Sequence, residues 1–419
     1  MTSLPKCRLL VLTPQLPYPP DQGAPIRNWN FLRYLGSTSS YEITLLSFAR
    51  PGEYDTAAES AARQVLQTPC RRVEIVAAPA PRSKTSRLQA LFTKRGPDLA
   101  LRLASSTFSA KLRELIDTEK FDALLCEGLE LSSVVMATIP TQATRPRLIL
   151  DEHNAEWLLQ QRAYQNDREA GPRRYPAAAY SLVQAHRLRR YEAQALKFFD
   201  RAIAVSPDDK AALLQIGGAT NKIRVIPNGI DLTEFAPNPI TTTEPDTLVF
   251  TGTMDFRPNV DAVTWFGREI WPTIRAHKPT ARFTIVGHRP SPAVIALAQQ
   301  PGIVVTGSVP DVRPYIKGSC VYVVPMRIGG GVRFKVLEAL AMGKAVVTTP
   351  LGADGIALTP DHEAIVTTEP AAFAQAVLAL LDNSPRRQQL GETGRAFVTA
   401  HYGWPMLTPL LDSVLTDFD

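Results

Sequence analysis

Between Val321 and Met342 an apolar run (Val321, Tyr322, Val323, Val324) leads into three glycines, Gly329, Gly330 and Gly331. A helical pattern through Val336, Leu337, Ala339, Leu340 and Ala341 follows. A glycine-rich loop that opens a helix lets backbone N–H groups close on a phosphate, and the helix dipole favours the negative charge. Arg333 and Lys335 sit in that first turn. The positive helix end repels cations by ~0.3 to 1 kcal/mol each, so the pair points to an anion lying between it and the loop; two solvated surface cations are the competing reading. Glu338 lies three residues beyond Lys335. It is either an i, i+3 partner on a wet face or, among the apolar Leu337, Leu340 and Ala341, a carboxylate that accepts hydroxyl hydrogen bonds in a cleft.

His153 follows the strand-like run Arg147 to Asp151, at the kind of strand edge where active sites collect; a structural histidine is the competing reading. Asp151 and Glu152 beside it do not form a glycosidase-like pair, because neighbours on a strand end point in opposite directions. Gly23, after Pro19, Pro20 and Asp21, reads locally as a turn.

Elements that could position these residues recur along the whole chain. Short apolar runs alternate with helical patterns, the signature of parallel sheets covered by helices. Strands are expected at Arg8–Thr13, Glu42–Ser47, Arg72–Ala77, Ala123–Glu127, Arg147–Asp151, Arg201–Val205 and Arg224–Ile226. A second set is expected at Thr247–Thr251, Arg282–Val286, Ile303–Thr306, Cys320–Val324, Ala345–Thr348 and Ala364–Thr367. The 419 residues suit two domains, each a doubly wound α/β fold. A turn at Pro227, Asn228 and Gly229, followed by Pro237, Pro239 and threonines, marks the break. The expected organisation is a first domain over 1–227, a hinge over 228–246, a second domain over 247–403, and a last helix over 404–419 that packs back on the first domain. A cleft between the two halves is the expected ligand site.

Apolar residues at 45% and charged residues at 21% are ordinary for a globular chain. The net charge of +6 suits anionic ligands such as nucleotide phosphates or anionic lipid, and no aromatic-interleaved RNA motif or zinc finger supports nucleic acid. Cys7, Cys70, Cys126 and Cys320 are widely spaced without a C-x-x-C pair, which favours reduced thiols. The amino-terminal residues lack the pattern of a signal peptide, and no run reaches the ~18 apolar residues a membrane span needs, so a cytoplasmic protein is expected. Arg82, Lys84, Arg87, Lys94, Arg95, Arg102, Lys111 and Arg113 face only Asp98 within their stretch, with Leu88, Leu91, Phe92, Leu99 and Leu103 at helical spacing. That face either packs on the first sheet or lies on the anionic inner surface of a membrane.

The run "GGGVRFKVLEALAMGKAVVTTPLGADGI" resembles the carboxyl-terminal signature of family 4 retaining glycosyltransferases. "VIPNGIDLTEF" and "FTGTMDFRPNVDAVTWF" resemble that family's hinge and the first strand of its second domain. "LVLTPQLPYPPDQGAPIRNWNFLRYL" and "LDEHNAEW" are similar to a bacterial branch found with exopolysaccharide genes. The resemblance covers nearly the whole chain and implies the GT-B architecture: two Rossmann-like domains facing across a cleft, the second holding a nucleotide-diphosphate sugar. It implies transfer to a glycan, lipid-linked or small-molecule acceptor, with no cofactor and no essential metal. Glu338 takes the place of the glutamate that binds the ribose, while the glutamate that contacts the donor sugar is replaced by Gly330. The usual basic pair of the first loop of the second domain falls on Thr253 and Pro258, and Arg333 and Lys335 are positioned to replace it. Val309 and Asp311 would border the nucleobase through their backbones. Gly23 would approach the donor phosphates, Arg27 would open the following helix on the acceptor side, and His153 would contact the sugar.

Two other classes remain. A nicotinamide-dependent oxidoreductase also uses doubly wound sheets, but the first strand runs into Pro14, Pro17, Pro19 and Pro20 where G-x-G-x-x-G is needed. A non-catalytic nucleotide- or sugar-binding protein would bind the same ligands without transfer.

Overall fold

The computed structural model describes residues 6–20, 23–49, 56–93, 96–140, 145–237, 243–329 and 334–416, and all that follows concerns these. The chain divides into two compact units, one of Met1–Pro227 with Thr408–Asp419 and the other of Asn228–Leu407.

The first unit is built on β1 (Cys7–Thr13), β2 (Tyr41–Ala49), β3 (Arg72–Ala77), β4 (Ala123–Glu127), β5 (Arg147–Glu152), β6 (Arg201–Ala204) and β7 (Ile223–Val225). They form one parallel sheet in the order β3-β2-β1-β4-β5-β6-β7. Strands covered by helices on both faces read as unbroken apolar runs. Accordingly Leu9, Leu10, Leu12, Leu124, Cys126, Leu148, Ile149 and Leu150 are fully buried. Each such aliphatic side chain contributes about 1.5–3 kcal/mol relative to an exposed one. The helix Ser106–Thr118 shows how local sequence serves the sheet. Ser105 caps it by accepting the Phe108 N–H, and Phe108, Leu112 and Leu115, at i, i+4 and i+7, point inward; Phe108 stacks on Phe48 with ring centres 4.2 Å apart. The last helix, Trp404–Thr416, crosses the division: from Thr408 on it belongs to the first unit, where the Tyr41 hydroxyl donates to the Asp412 carboxylate.

The second unit repeats the plan with β8 (Thr247–Thr251), β9 (Arg282–Val286), β10 (Ile303–Gly307), β11 (Val321–Val324), β12 (Ala345–Thr348) and β13 (Ile365–Val366), in the order β10-β9-β8-β11-β12-β13. Phe266, Trp271, Phe283 and Phe373 fill its core. The expected strands are present with ends shifted by a residue or so; β13 keeps only Ile365–Val366 of the expected Ala364–Thr367.

In both sheets the strand order reverses beside the first strand, between β1 and β4 and between β8 and β11. The crossover loops splay apart there, so the carboxyl ends at these two points are where a doubly wound sheet takes a ligand.

Candidate functional site

In the second unit the switch point is lined by the ends of β8 and β11. Gly252, directly after β8, has φ +156°, and a Cβ there would lie 2.7 Å from the Asn259 Nδ2 and 3.0 Å from the Lys335 Nζ. Asn259, buried at the start of the helix Arg257–Trp265, joins two segments: its Nδ2 donates to the Thr253 carbonyl at 2.9 Å, and its Oδ1 accepts from Lys335 Nζ at 2.8 Å. The same ammonium lies 4.1 Å over the Phe250 ring. Lys335 is thereby fixed at the first turn of the helix Phe334–Ala341, which follows β11. Gly330, Gly331 and Arg333 fall outside the described residues. Their neighbour Gly329 has φ +113°, a left-handed conformation that glycine accepts without strain.

Glu338, one turn along that helix, is partly exposed. Burial pushes its carboxyl up to about 7; Lys335 pulls it down and Glu234 pushes it further up. An acid held this close to neutrality with part of its surface open has acceptor capacity that hydroxyls can use. Val309 and Asp311 follow β10. The Asp311 carboxylate accepts from the Arg313 backbone N–H at 2.9 Å and from its Nε at 2.8 Å, and Arg313 reaches Glu234 at 3.5 Å. Asp311 is thus held below the usual carboxylate range by Arg313, with its side chain engaged. The backbone around Val309 is what remains for a ligand. Thr253 offers its carbonyl to Asn259, as above.

In the first unit the corresponding strand ends carry buried charge. Glu127 ends β4 and pairs in register with Asp151 of β5. Arg27, only 1% exposed, donates through Nε to Asp151 Oδ2 at 2.6 Å, through Nη2 to Oδ1 at 3.0 Å and through Nη1 to the Pro227 carbonyl at 3.1 Å. Arg27, expected on the acceptor side, is therefore enclosed, its guanidinium held by Asp151 and the Pro227 carbonyl. Gly23, expected as a loop glycine, is the first residue of the helix Gly23–Ser37; Arg27 lies one turn inside that helix. His153, in the bend after β5, keeps about 19% of its side chain exposed and contacts Glu127 Oε2 through Nε2 at 3.1 Å. Glu152 points away, as strand alternation requires, toward Glu192 on the helix Tyr175–Phe198.

Donor atoms of Glu127, Asp151 and His153 lie within 4.8 Å of one another, a grouping that could interest a cation. Both oxygens of Asp151, however, are engaged by a buried guanidinium, whose charge opposes a second cation at the same point. Arg27 holds Asp151, and Glu127 separately holds His153.

Comparison with known families decides the class of chemistry. Residues 40–234 match the family model described as Glycosyltransferase Family 4, and residues 245–383 match that of Glycosyl transferases group 1. The chain is a glycosyltransferase. This glycosyltransferase is 20% identical over 411 residues to an uncharacterized 44.6 kDa protein in the cps region of Klebsiella pneumoniae, covering 94% of this chain and 96% of that one. Its fold is that of GT-B enzymes. A glycosyltransferase from Rickettsia africae superposes with a TM-score of 0.65 at 13% identity, covering 99% of this chain and 98% of the other. HepE of Anabaena, solved with UDP and glucose, gives 0.63 at 12% identity, covering 97% and 99%.

Several residues of these strand ends escape a reading of the glycosyltransferase sequence. Glu127 stands out there only as a break in the apolar run near Leu124; a carboxylate closing a buried strand is the signal that could have marked it. Gly287, with φ +152°, is pressed so closely that a Cβ would lie 1.7 Å from the Gly252 oxygen, and both glycines directly follow expected strands. Asn259 and Glu192 give no local signal, since their roles depend on partners 76 and 36 residues away.

The basic stretch divides in the structure. Leu99, Ala100 and Leu103 are buried in the first core, while Leu88 is 56% exposed. Arg82 and Arg87 both pair with Asp98, and Lys111 with Glu74 and Glu114. Lys94 and Arg95 lie outside the described residues. Among the described residues no helix is long and apolar enough to cross a membrane.

Proposed function

We propose that this glycosyltransferase takes a sugar from a nucleoside diphosphate donor bound by its second unit and transfers it, with retention of anomeric configuration and without an essential metal, to a glycan, lipid-linked or small-molecule acceptor. The observation that carries the donor reading is the placement of Lys335 and Glu338 on one helix turn at the β8/β11 switch point, the cation held by Asn259 and Phe250, the carboxyl partly exposed. Glu338 would accept from the ribose hydroxyls. Lys335, with Arg333, would meet the diphosphate and stabilise the charge that grows as it leaves, a stabilisation that costs no reorganisation because the ammonium is already in place. The Asn259 amide keeps the Gly252–Thr253 loop beside it, where glycine lets the backbone approach a phosphate. UDP in the solved HepE complexes supports a uridine nucleotide as the first candidate. No protein nucleophile is assigned, and attack on the face the leaving group departs from accounts for retention. His153 would contact the transferred sugar, as the family resemblance implies.

Titration calorimetry with UDP tests the donor site. Glu338→Ala should weaken binding by about 1.5–3 kcal/mol, roughly ten- to hundredfold, with the fold retained. Equal affinity in the two proteins would remove Glu338 from the site. Transfer by the parent protein should continue in EDTA; loss of transfer restored by a divalent ion would overturn the metal-free mechanism.

A further inference from the structure

We propose that Glu127 is a positioning residue for His153, its carboxylate accepting a hydrogen bond from the Nε2–H so that the imidazole presents Nδ1 outward in a defined protonation state. The inference rests on the reading of His153 as the sugar contact for its place in transfer, but its geometry stands apart from that reading. Glu127 is fully buried at the end of β4. Its Oε2 meets His153 Nε2 at 3.1 Å. With its amide nitrogen turned toward two acceptors, Asn28 donates to the same Oε2 at 2.8 Å and to the Ala24 carbonyl at 3.1 Å. Two donors thus converge on one carboxyl oxygen, while Oε1 is buried with no partner among the described residues. A carboxyl group in this setting is costly to bury and is better explained by what it holds than by packing. Nδ1 of His153 has no hydrogen-bond partner among the described residues, and the ring keeps part of its surface open, so the nitrogen left for a ligand is the one Glu127 does not hold.

The charged groups facing the pair are Asp151 of β5, Arg27 of the helix Gly23–Ser37, and Glu156 at the start of the helix Glu156–Glu169. Asp151 and Arg27 bind each other, which leaves Glu127 as the direct control on the ring. Burial and then Asp151 raise the Glu127 carboxyl. On His153 burial and the Arg27 charge act downward, but the Glu127 hydrogen bond and the charges of Asp151 and Glu127 outweigh them and the imidazole ends above its ordinary 6.5. The pair therefore holds its proton to higher pH than an isolated histidine would. In the neutral ring Glu127 selects the Nε2–H tautomer, leaving Nδ1 as an acceptor; in the protonated ring Nδ1 becomes a donor to a sugar hydroxyl.

The test follows the imidazole itself. The full chain, labelled with ¹⁵N at histidine, is titrated by NMR; it has six histidines, and the His153 signal is the one lost in His153→Gln. In the parent His153 should titrate above 6.5 with the proton of the neutral ring on Nε2. In Glu127→Gln its midpoint should fall by about one unit or more, and in Glu127→Asp, which keeps the charge at shorter reach and serves if the glutamine variant does not fold, it should lie between the two. In a transfer assay the alkaline limb of the pH profile should move down with the NMR midpoint, with UDP affinity unchanged. A His153 titration that is the same in parent and both variants overturns the inference. A titration that shifts as expected, in a protein whose His153→Gln variant keeps full transfer, leaves Glu127 in its role and removes instead the reading of His153 as the sugar contact.

Discussion

The two sheets end differently along their carboxyl edges. In the first unit the carboxyl ends of β4 and β5 carry Glu127, Asp151 and Glu152, each fully buried, wired to Arg27, Asn28, His153 and Glu192. In the second unit β8 and β9 end in Gly252 and Gly287, and the polar groups arrive from helices, as Asn259, Lys335 and Glu338. One switch point is organised by side chains whose charges depend on one another; the other leaves backbone bare and brings charge in afterwards. Within one doubly wound plan, the first arrangement suits fixing a side chain that works on a substrate, and the second suits close backbone approach to a phosphate.

If the first unit depends on mutual charge compensation, breaking one pair should have the largest effect. Arg27→Met leaves Asp151 buried without its partner, which costs about 3–5 kcal/mol. Urea denaturation followed by hydrogen exchange on β4 and β5 peptides should show that loss in the first unit. The double variant Arg27→Met/Asp151→Leu should recover much of it, since removing both charges leaves nothing to compensate. A single variant costing less than ~1 kcal/mol would mean that the charges are not what holds these strand ends.

The second unit should instead be broken through its backbone. Gly287→Ala places a Cβ 1.7 Å from the Gly252 oxygen at a φ of +152°, so the strand ends must move. Strain and overpacking together should cost about 2–4 kcal/mol. Faster hydrogen exchange should be confined to β8, β9 and the loop at Thr253, with weaker UDP binding. Wild-type exchange in those peptides would show that the close glycine contact is dispensable.

Much of this was legible in sequence because it is local. Apolar runs of strand length located both sheets, and Gly329–Gly331 before Lys335 and Glu338 marked the second switch point, since strand, loop and helix start lie within some twenty residues. What stayed hidden is relational. Arg27 reads as a helix residue until Asp151, 124 positions later, is placed against it. Gly23 reads as a turn after two prolines, yet folds as the first residue of its helix, because glycine at a helix start costs little. Asn259 has no pattern of its own; only the packing of its helix against β8 brings it to Lys335.

The buried acids of the first unit yield the smallest effect and the sharpest sign. Glu152 and Glu192 are both enclosed. Glu192 accepts the backbone N–H groups of Glu156 at 2.7 Å and Trp157 at 2.8 Å, closing the start of that helix, and burial pushes its carboxyl up to about 8; Glu152 faces it with no hydrogen-bond partner among the described residues. Burial first, and then the Glu192 charge, raise Glu152 well above its ordinary 4.5, so near neutrality it carries the proton. An acid raised on folding binds its proton more tightly in the native chain, so the stability it contributes is full below 4.5 and is lost as pH rises through the folded value. Glu152→Gln keeps a donor of nearly the same shape that never ionises. The variant and parent should therefore melt together at pH 5, and by pH 9 the variant should melt about 2–4 °C higher, equivalent to about 1 kcal/mol. A Tm difference that is the same at both pH values would mean that burial beside Glu192 does not raise the Glu152 carboxyl.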